Sequence, residues 1–159
     1  MTEGHQHVIG SLVSGHGVAS GQGGDPRFPE GTLRLQMLHF AKEGVDLSAY
    51  FPGTLNLSIA PHQFRVKKAP VTLRRIRWCE VLPPEDFSFL PCSFRRVAKE
   101  GAEDGFREGL VYYPHPETKP DHFQPPSVLE ILAPWTEGLT PGTEMELRVG
   151  SEFLDVVEG

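Results

Sequence analysis

Cysteine is nearly absent from the chain. Cys79 and Cys92 are the only two, too few for a disulfide framework, and each reads as a small buried hydrophobe. No apolar run approaches the roughly 20 residues that span a bilayer as a helix. The start, Met1-Thr2-Glu3-Gly4-His5, has neither a basic n-region nor an apolar h-region, so no secretory signal is expected there. A cytoplasmic protein with reduced thiols, without a membrane partner, is the expectation. Basic excess is lacking too: the formal net charge is -6. That argues against a general nucleic-acid binder, because phosphate contacts are made chiefly by Lys and Arg.

Turn formers are plentiful instead. The 159 residues include 17 Gly and 15 Pro, which favours short strands and many turns over long helices. A hydrophobic content of 38% with 23% charged residues suits one globular domain, expected to cover 1–159. Charge is unevenly placed. Arg65, Lys67, Lys68, Arg74, Arg75 and Arg77 precede Glu80 with no acid among them. Such a run reads either as a solvated strand face or as a local phosphate-attracting surface.

Val8 to Val13 reads as a first strand, leading into Ser14-Gly15-His16-Gly17-Val18-Ala19-Ser20-Gly21-Gln22-Gly23-Gly24. This glycine-rich segment is either a flexible connector or a loop whose amides approach phosphates. Its spacing matches neither the P-loop nor the dinucleotide fingerprint. One helix follows, with Thr32 as N-cap, strong helix formers from Leu33 to Glu43, and Gly44 at C′. Leu33, Met37, Phe40 and Ala41 are expected to share its buried face, and His39 to lie at or near the surface.

Beyond Pro52-Gly53, a strong turn signal, Leu55, Leu57 and Ile59 alternate with Thr54, Asn56 and Ser58. Period-2 alternation puts the apolar side chains on one face and the oxygen-bearing ones on the other. Thr54 and Asn56 are therefore neighbours, either as the wet face of a strand or as a pair able to hold a hard cation or polar ligand. Further strands are expected at Val71–Val81, with a bulge at Arg74-Arg75, and at Cys92–Val97, Leu110–Tyr113, Val128–Leu132 and Gly142–Val149. Glu152–Val157 is expected to add a short edge strand. Glu130, between apolar neighbours, needs a partner or ligand if buried, and otherwise faces outward. The proline-rich stretch Tyr113–Phe123 cannot be regular structure. Its His115, Glu117, Asp121 and His122 fit no closed zinc site, and a stiff loop carrying ligand contacts is the better reading. About seven short strands and one helix make a mainly β fold, a compact barrel or sandwich.

Three elements together resemble the archaeal CTP-dependent riboflavin kinases. They are Gly10-Ser11-Leu12-Val13-Ser14-Gly15-His16-Gly17; Phe51-Pro52-Gly53-Thr54-Leu55-Asn56-Leu57; and Val128-Leu129-Glu130-Ile131-Leu132-Ala133-Pro134 followed by the strand from Gly142. Their order and separation resemble the family along nearly the whole chain. Trp135-Thr136-Glu137-Gly138 stands where the family usually has a Leu-Arg pair, marking a divergent member. The resemblance implies a six- to seven-stranded cradle-loop β-barrel with one short helix. It also implies transfer of the γ-phosphoryl of CTP to riboflavin, giving FMN. In that reading Gly15, His16, Gly17, Val18, Ala19 and Ser20 wrap the nucleotide, Thr54 and Asn56 hold Mg²⁺, and Thr118 and Glu130 contact the flavin. Alternatives are a non-catalytic flavin- or nucleotide-binding barrel, and a kinase of this fold with another donor or acceptor. In the latter, Arg74, Arg75 and Arg77 would compensate for the missing Arg. A DNA-binding role rests only on the basic stretch.

Overall fold

A strand of twelve residues, long enough to serve two different neighbours along one edge, closes the sheet of this chain. The structure, a computed structural model, describes residues 4–13, 32–51, 53–80, 83–97, 105–117, 126–134 and 139–158. These contain strands β1 (His5–Val13), β2 (Leu55–Ser58), β3 (His62–Val66), β4 (Val71–Ile76), β5 (Glu85–Arg96), β6 (Arg107–Pro114), β7 (Val128–Leu132), β8 (Glu144–Gly150) and β9 (Leu154–Glu158), with one helix, α1 (Thr32–Lys42). All pairings are antiparallel. Hydrogen bonds run β5–β6–β7–β2–β1–β8 and back to β5, a closed ring of six strands. Closure leaves those strands without a free edge along the ring.

The long strand is β5. Its first half pairs with β4, Phe89 lying opposite Val71, and its second half pairs with β8, Cys92 lying opposite Val149. Pro91, with no amide proton to donate, stands at the changeover. β4 thus attaches to the ring as a seventh strand, and β3–β9 form a separate ribbon. The ribbon packs Leu154, Phe64, Val66 and Val156 onto the barrel core.

Alternation sorts the ring's side chains into two cores. Leu12, Leu57, Leu90, Phe94, Val111, Leu129, Ile131 and Leu147 fill the barrel. On the outside, Phe87, Phe89, Tyr112 and Leu132 meet Leu33 and Phe40 of α1. Phe40 meets Phe87 and Phe89 edge-on, with centroids 4.9 and 5.2 Å away, an arrangement that aligns ring edges with faces. Gly10 lets β1 and β2 come close: a Cβ there would lie 2.2 Å from the carbonyl oxygen of Ser58.

Several expectations hold. α1 ends where Gly44 was placed as C′. Gly44 has φ 94°, its N–H reaches the Ala41 carbonyl, and the Val45 N–H reaches that of Phe40, a Schellman cap. The bulge in β4 is present between Leu73 and Ile76. Arg75 there has φ 55°, and its N–H is taken by Asp86 Oδ1 at 2.8 Å. Other details differ. β4 stops at Ile76 rather than Val81, β5 begins seven residues before Cys92, and β3 is an unforeseen strand. Ala41 is exposed, and Gln36 lies in the buried face of α1 in its place, 3% exposed.

Candidate functional site

β2 presents Leu55, Leu57 and Ile59 to the barrel core, so Thr54, Asn56 and Ser58 take the outer face. In β7, Leu129 and Ile131 point inward, which turns Glu130 outward. Register then decides who meets whom. Asn56 lies directly opposite Glu130 on one side and Val13 on the other. Thr54 Oγ1 donates to Glu130 Oε1 at 3.4 Å, in a partly buried setting. The Phe51 N–H donates to the Ala133 carbonyl at 3.0 Å, which ties the approach to Thr54 to the end of β7. A hydroxyl, an amide and a carboxylate thus share one outer patch. Glu130 is a direct neighbour of the Thr54–Asn56 pair.

The patch borders the core beneath α1. Tyr112 is 4% exposed and donates its hydroxyl proton to Gln36 Oε1. Burial first, then the charges of Glu130 and Glu85, hold its phenol well above the ordinary value, while the Gln36 bond opposes them. Tyr112 is therefore a neutral donor at working pH and no base. Glu85 is itself buried and accepts from Trp78 Nε1 at 3.0 Å. No side-chain nitrogen or oxygen buried among the described residues lacks a hydrogen-bond partner.

Gly15, His16, Gly17, Val18, Ala19 and Ser20, together with Thr118, lie outside the described residues, as do Asp121 and His122. What is described is the point from which the glycine-rich segment leaves: Val13, the last residue of β1, stands beside Asn56. The basic stretch is exposed and partly neutralised. Arg65 and Lys67 lie 3.2 and 3.6 Å from Asp155, and Arg74 lies 3.4 Å from Asp86.

One polar chain was not anticipated. His115 Nδ1 lies 3.1 Å from Glu117 Oε2, its Nε2 lies 2.7 Å from Ser88 Oγ, and Ser88 Oγ lies 2.8 Å from Thr72 Oγ1. A carboxylate only accepts, so His115 donates from Nδ1; with the tautomer that leaves Nε2 an acceptor, Ser88 donates to Nε2 and Thr72 donates to Ser88. The connectivity is that of a Ser-His-acid triad. Yet Ser88 is 1% exposed, which keeps its oxygen from any substrate carbonyl. The chain is a cross-strand tie between β4, β5 and the end of β6. Thr72, Ser88 and His115 are far apart in sequence, and only the alternation of Ser88 with Phe87 and Phe89 hinted at a special position.

Among the described residues no group of three or more His, Cys, Asp or Glu converges as a metal cluster. The donor set at β2 and β7 is different: three oxygen-bearing side chains, one of them a carboxylate. This chemistry suits Mg²⁺, which prefers oxygen, keeps several waters and draws further charge from substrate phosphates. Comparison with known proteins adds no relative: no protein-family model matches the chain, and no curated protein or solved structure matches it.

Proposed function

We propose that the barrel is a Mg²⁺-dependent phosphotransferase of the riboflavin-kinase type, with CTP as donor and riboflavin as acceptor. The observation that carries the reading is the meeting of Thr54, Asn56 and Glu130 on one outer patch beside the end of β1. Three sequence elements that resemble the family are far apart in the chain, and the register of β1, β2 and β7 makes them neighbours. Thr54 and Asn56 would hold Mg²⁺ through neutral oxygens, and the ion would supply charge stabilisation to the transferring phosphoryl group. Glu130 orients the Thr54 hydroxyl and, as the carboxylate of the trio, accepts a hydrogen bond from the acceptor hydroxyl. In the transfer, the 5′-hydroxyl oxygen bonds to the γ-phosphorus, the bond to the β–γ bridging oxygen breaks, CDP leaves, and the hydroxyl proton is released. The glycine-rich segment after Val13 is assigned to the nucleotide, and Thr118 joins Glu130 on the flavin.

A second reading has an observation of its own. The Thr54 hydroxyl is already bonded to Glu130, an arrangement that also suits a barrel holding flavin or nucleotide without turnover. One assay separates the two. The protein is incubated with riboflavin, Mg²⁺ and each of CTP, ATP, GTP and UTP, and FMN is followed by chromatography with fluorescence detection. FMN formed with CTP, and lowered about tenfold or more in Asn56→Leu, is the expected result. Thermal stabilisation by riboflavin or CTP with no FMN from any donor would leave the binding barrel.

A further inference from the structure

At the other end of β1, roughly 26 Å along the strand from Val13, the surface carries a concavity. It is a depression of about 200 Å³ whose lining includes His5, Ser93, Glu108, Arg148, Glu152 and Phe153. Its polar groups are placed by register. Ser93 of β5 lies directly opposite Glu108 of β6 and directly opposite Arg148 of β8. An acid, a hydroxyl and a guanidinium therefore stand in one row across three neighbouring strands. With strands about 4.8 Å apart, the backbones bearing the two charges are about 10 Å apart, one on each side of Ser93.

Among the described residues no ion pair takes up the charges in this row. The guanidinium carbon of Arg148 lies 4.2 Å from the centroid of Phe106, and that of Arg95 lies 4.3 Å from the same centroid. Such stacking holds a planar cation in place while leaving its N–H edge able to bond. Arg95 is neutralised by Glu146 at 2.9 Å, and that carboxylate also meets His7 at 3.1 Å. No ion pair joins Arg148, Glu108 or Glu152 to another described residue. Cys92 is also in the lining, and its thiol is pushed up to about 12, first by burial and then by the charge of Glu108. Phe153 supplies an apolar wall. It packs over Gly150, where a Cβ would lie 3.1 Å from the ring.

A bare anion would meet two carboxylates here, and a bare cation would meet Arg148. A small molecule carrying both charges satisfies each wall. We propose that this depression is a binding site for a free α-amino acid. Its carboxylate lies on Arg148 and the Ser93 hydroxyl, its ammonium lies toward Glu108 and Glu152, and its side chain lies along Phe153. The volume is below the usual range for drug-sized or cofactor sites, which favours a ligand of this scale over a nucleotide. The site stands apart from the Thr54–Asn56–Glu130 patch and does not depend on it.

The test is an amide-resolved NMR titration of the full chain, labelled with ¹⁵N, against each proteinogenic L-α-amino acid at millimolar concentration. Acetate and ethylamine serve as single-charge controls. Saturable shifts at Ser93, Arg148 and Gly150 with one or more amino acids, absent with either control, are expected. Arg148→Gln and Glu108→Gln should each weaken that binding about tenfold with the remaining spectrum unchanged. Glu108 is exposed, so its variant retains the fold even if loss of the Phe106 stack perturbs the other. No shift with any amino acid, equal shifts with acetate, or undiminished binding in Glu108→Gln would overturn the proposal.

Discussion

Thr54→Val separates the structural and the ligand-binding roles of the patch, because valine keeps the shape of threonine and removes only the hydroxyl. The hydroxyl's bond to Glu130 Oε1 is 3.4 Å long, at the outer limit for an O–H donor. A typical intramolecular hydrogen bond contributes about 0.5–1.5 kcal/mol net, and a bond this long belongs at the low end. Glu130 keeps a further interaction when Thr54 is lost, so it is not left as an isolated buried charge. The variant should be destabilised by about 0.5–1 kcal/mol, or roughly 1–4 °C in Tm for a chain of this size. Its response to ligand should change far more. Mg²⁺ with CTP at 100 times Kd stabilises a folded protein by about 2.7 kcal/mol, equivalent to roughly 5–10 °C here. In Thr54→Val most of that rise should vanish. Thermal melts of both proteins, with and without Mg²⁺ and CTP, provide the assay. A full ligand-induced rise in the variant would refute the assignment. An apo destabilisation of several kcal/mol would refute it differently, by showing that the hydroxyl belongs to the fold.

Two further outcomes probe the frame around the site. Gly10→Ala places a methyl 2.2 Å from the Ser58 carbonyl oxygen, a backbone atom that cannot swing aside. The β1–β2 pairing should open, with a loss of at least about 3 kcal/mol in urea denaturation; a loss below about 1 kcal/mol would mean that the strands are not so closely apposed. Glu146 has its carboxyl held below the ordinary value, chiefly by the hydrogen bond with His7 and further by Arg95, against burial. A carboxyl lowered in the folded state contributes stability that is complete above its unfolded value near 4.5 and is lost as pH falls through the folded value. Glu146→Gln should therefore cost about 1 kcal/mol or less at neutral pH and flatten the acid limb of a stability–pH curve. An unchanged acid limb would exclude Glu146 as a contributor.

The parts of the fold that sequence reasoning recovered are those with one wet face. β2 and β8 alternate cleanly because their outer sides meet solvent. β5 hid its first half because both faces are buried there, Phe87 and Phe89 under α1 and Leu90 inside the barrel. Burial on two faces erases the period-2 signal, and the flanking prolines read as breakers. β3 was missed because its pairing partner, β9, is distant in sequence: His62 lies opposite Glu158. Gln36 entered the helix's buried face only because the Tyr112 hydroxyl is there to satisfy it. At the site, the adjacency of Thr54 and Asn56 followed from alternation alone. That Glu130 joins them depended on strand register, which no local pattern sets.

In the proposed site Thr54 and Asn56 hold the metal–nucleotide complex, and Glu130 stands beside them toward the acceptor. The most direct measurement replaces Mg²⁺ with paramagnetic Mn²⁺ in the presence of CTP and maps the broadening of amide resonances. Broadening centred on Thr54, Asn56 and Glu130, and lost in Asn56→Leu with the fold intact, is the predicted result. Broadening confined to other parts of the barrel, or unchanged by the substitution, would contradict it.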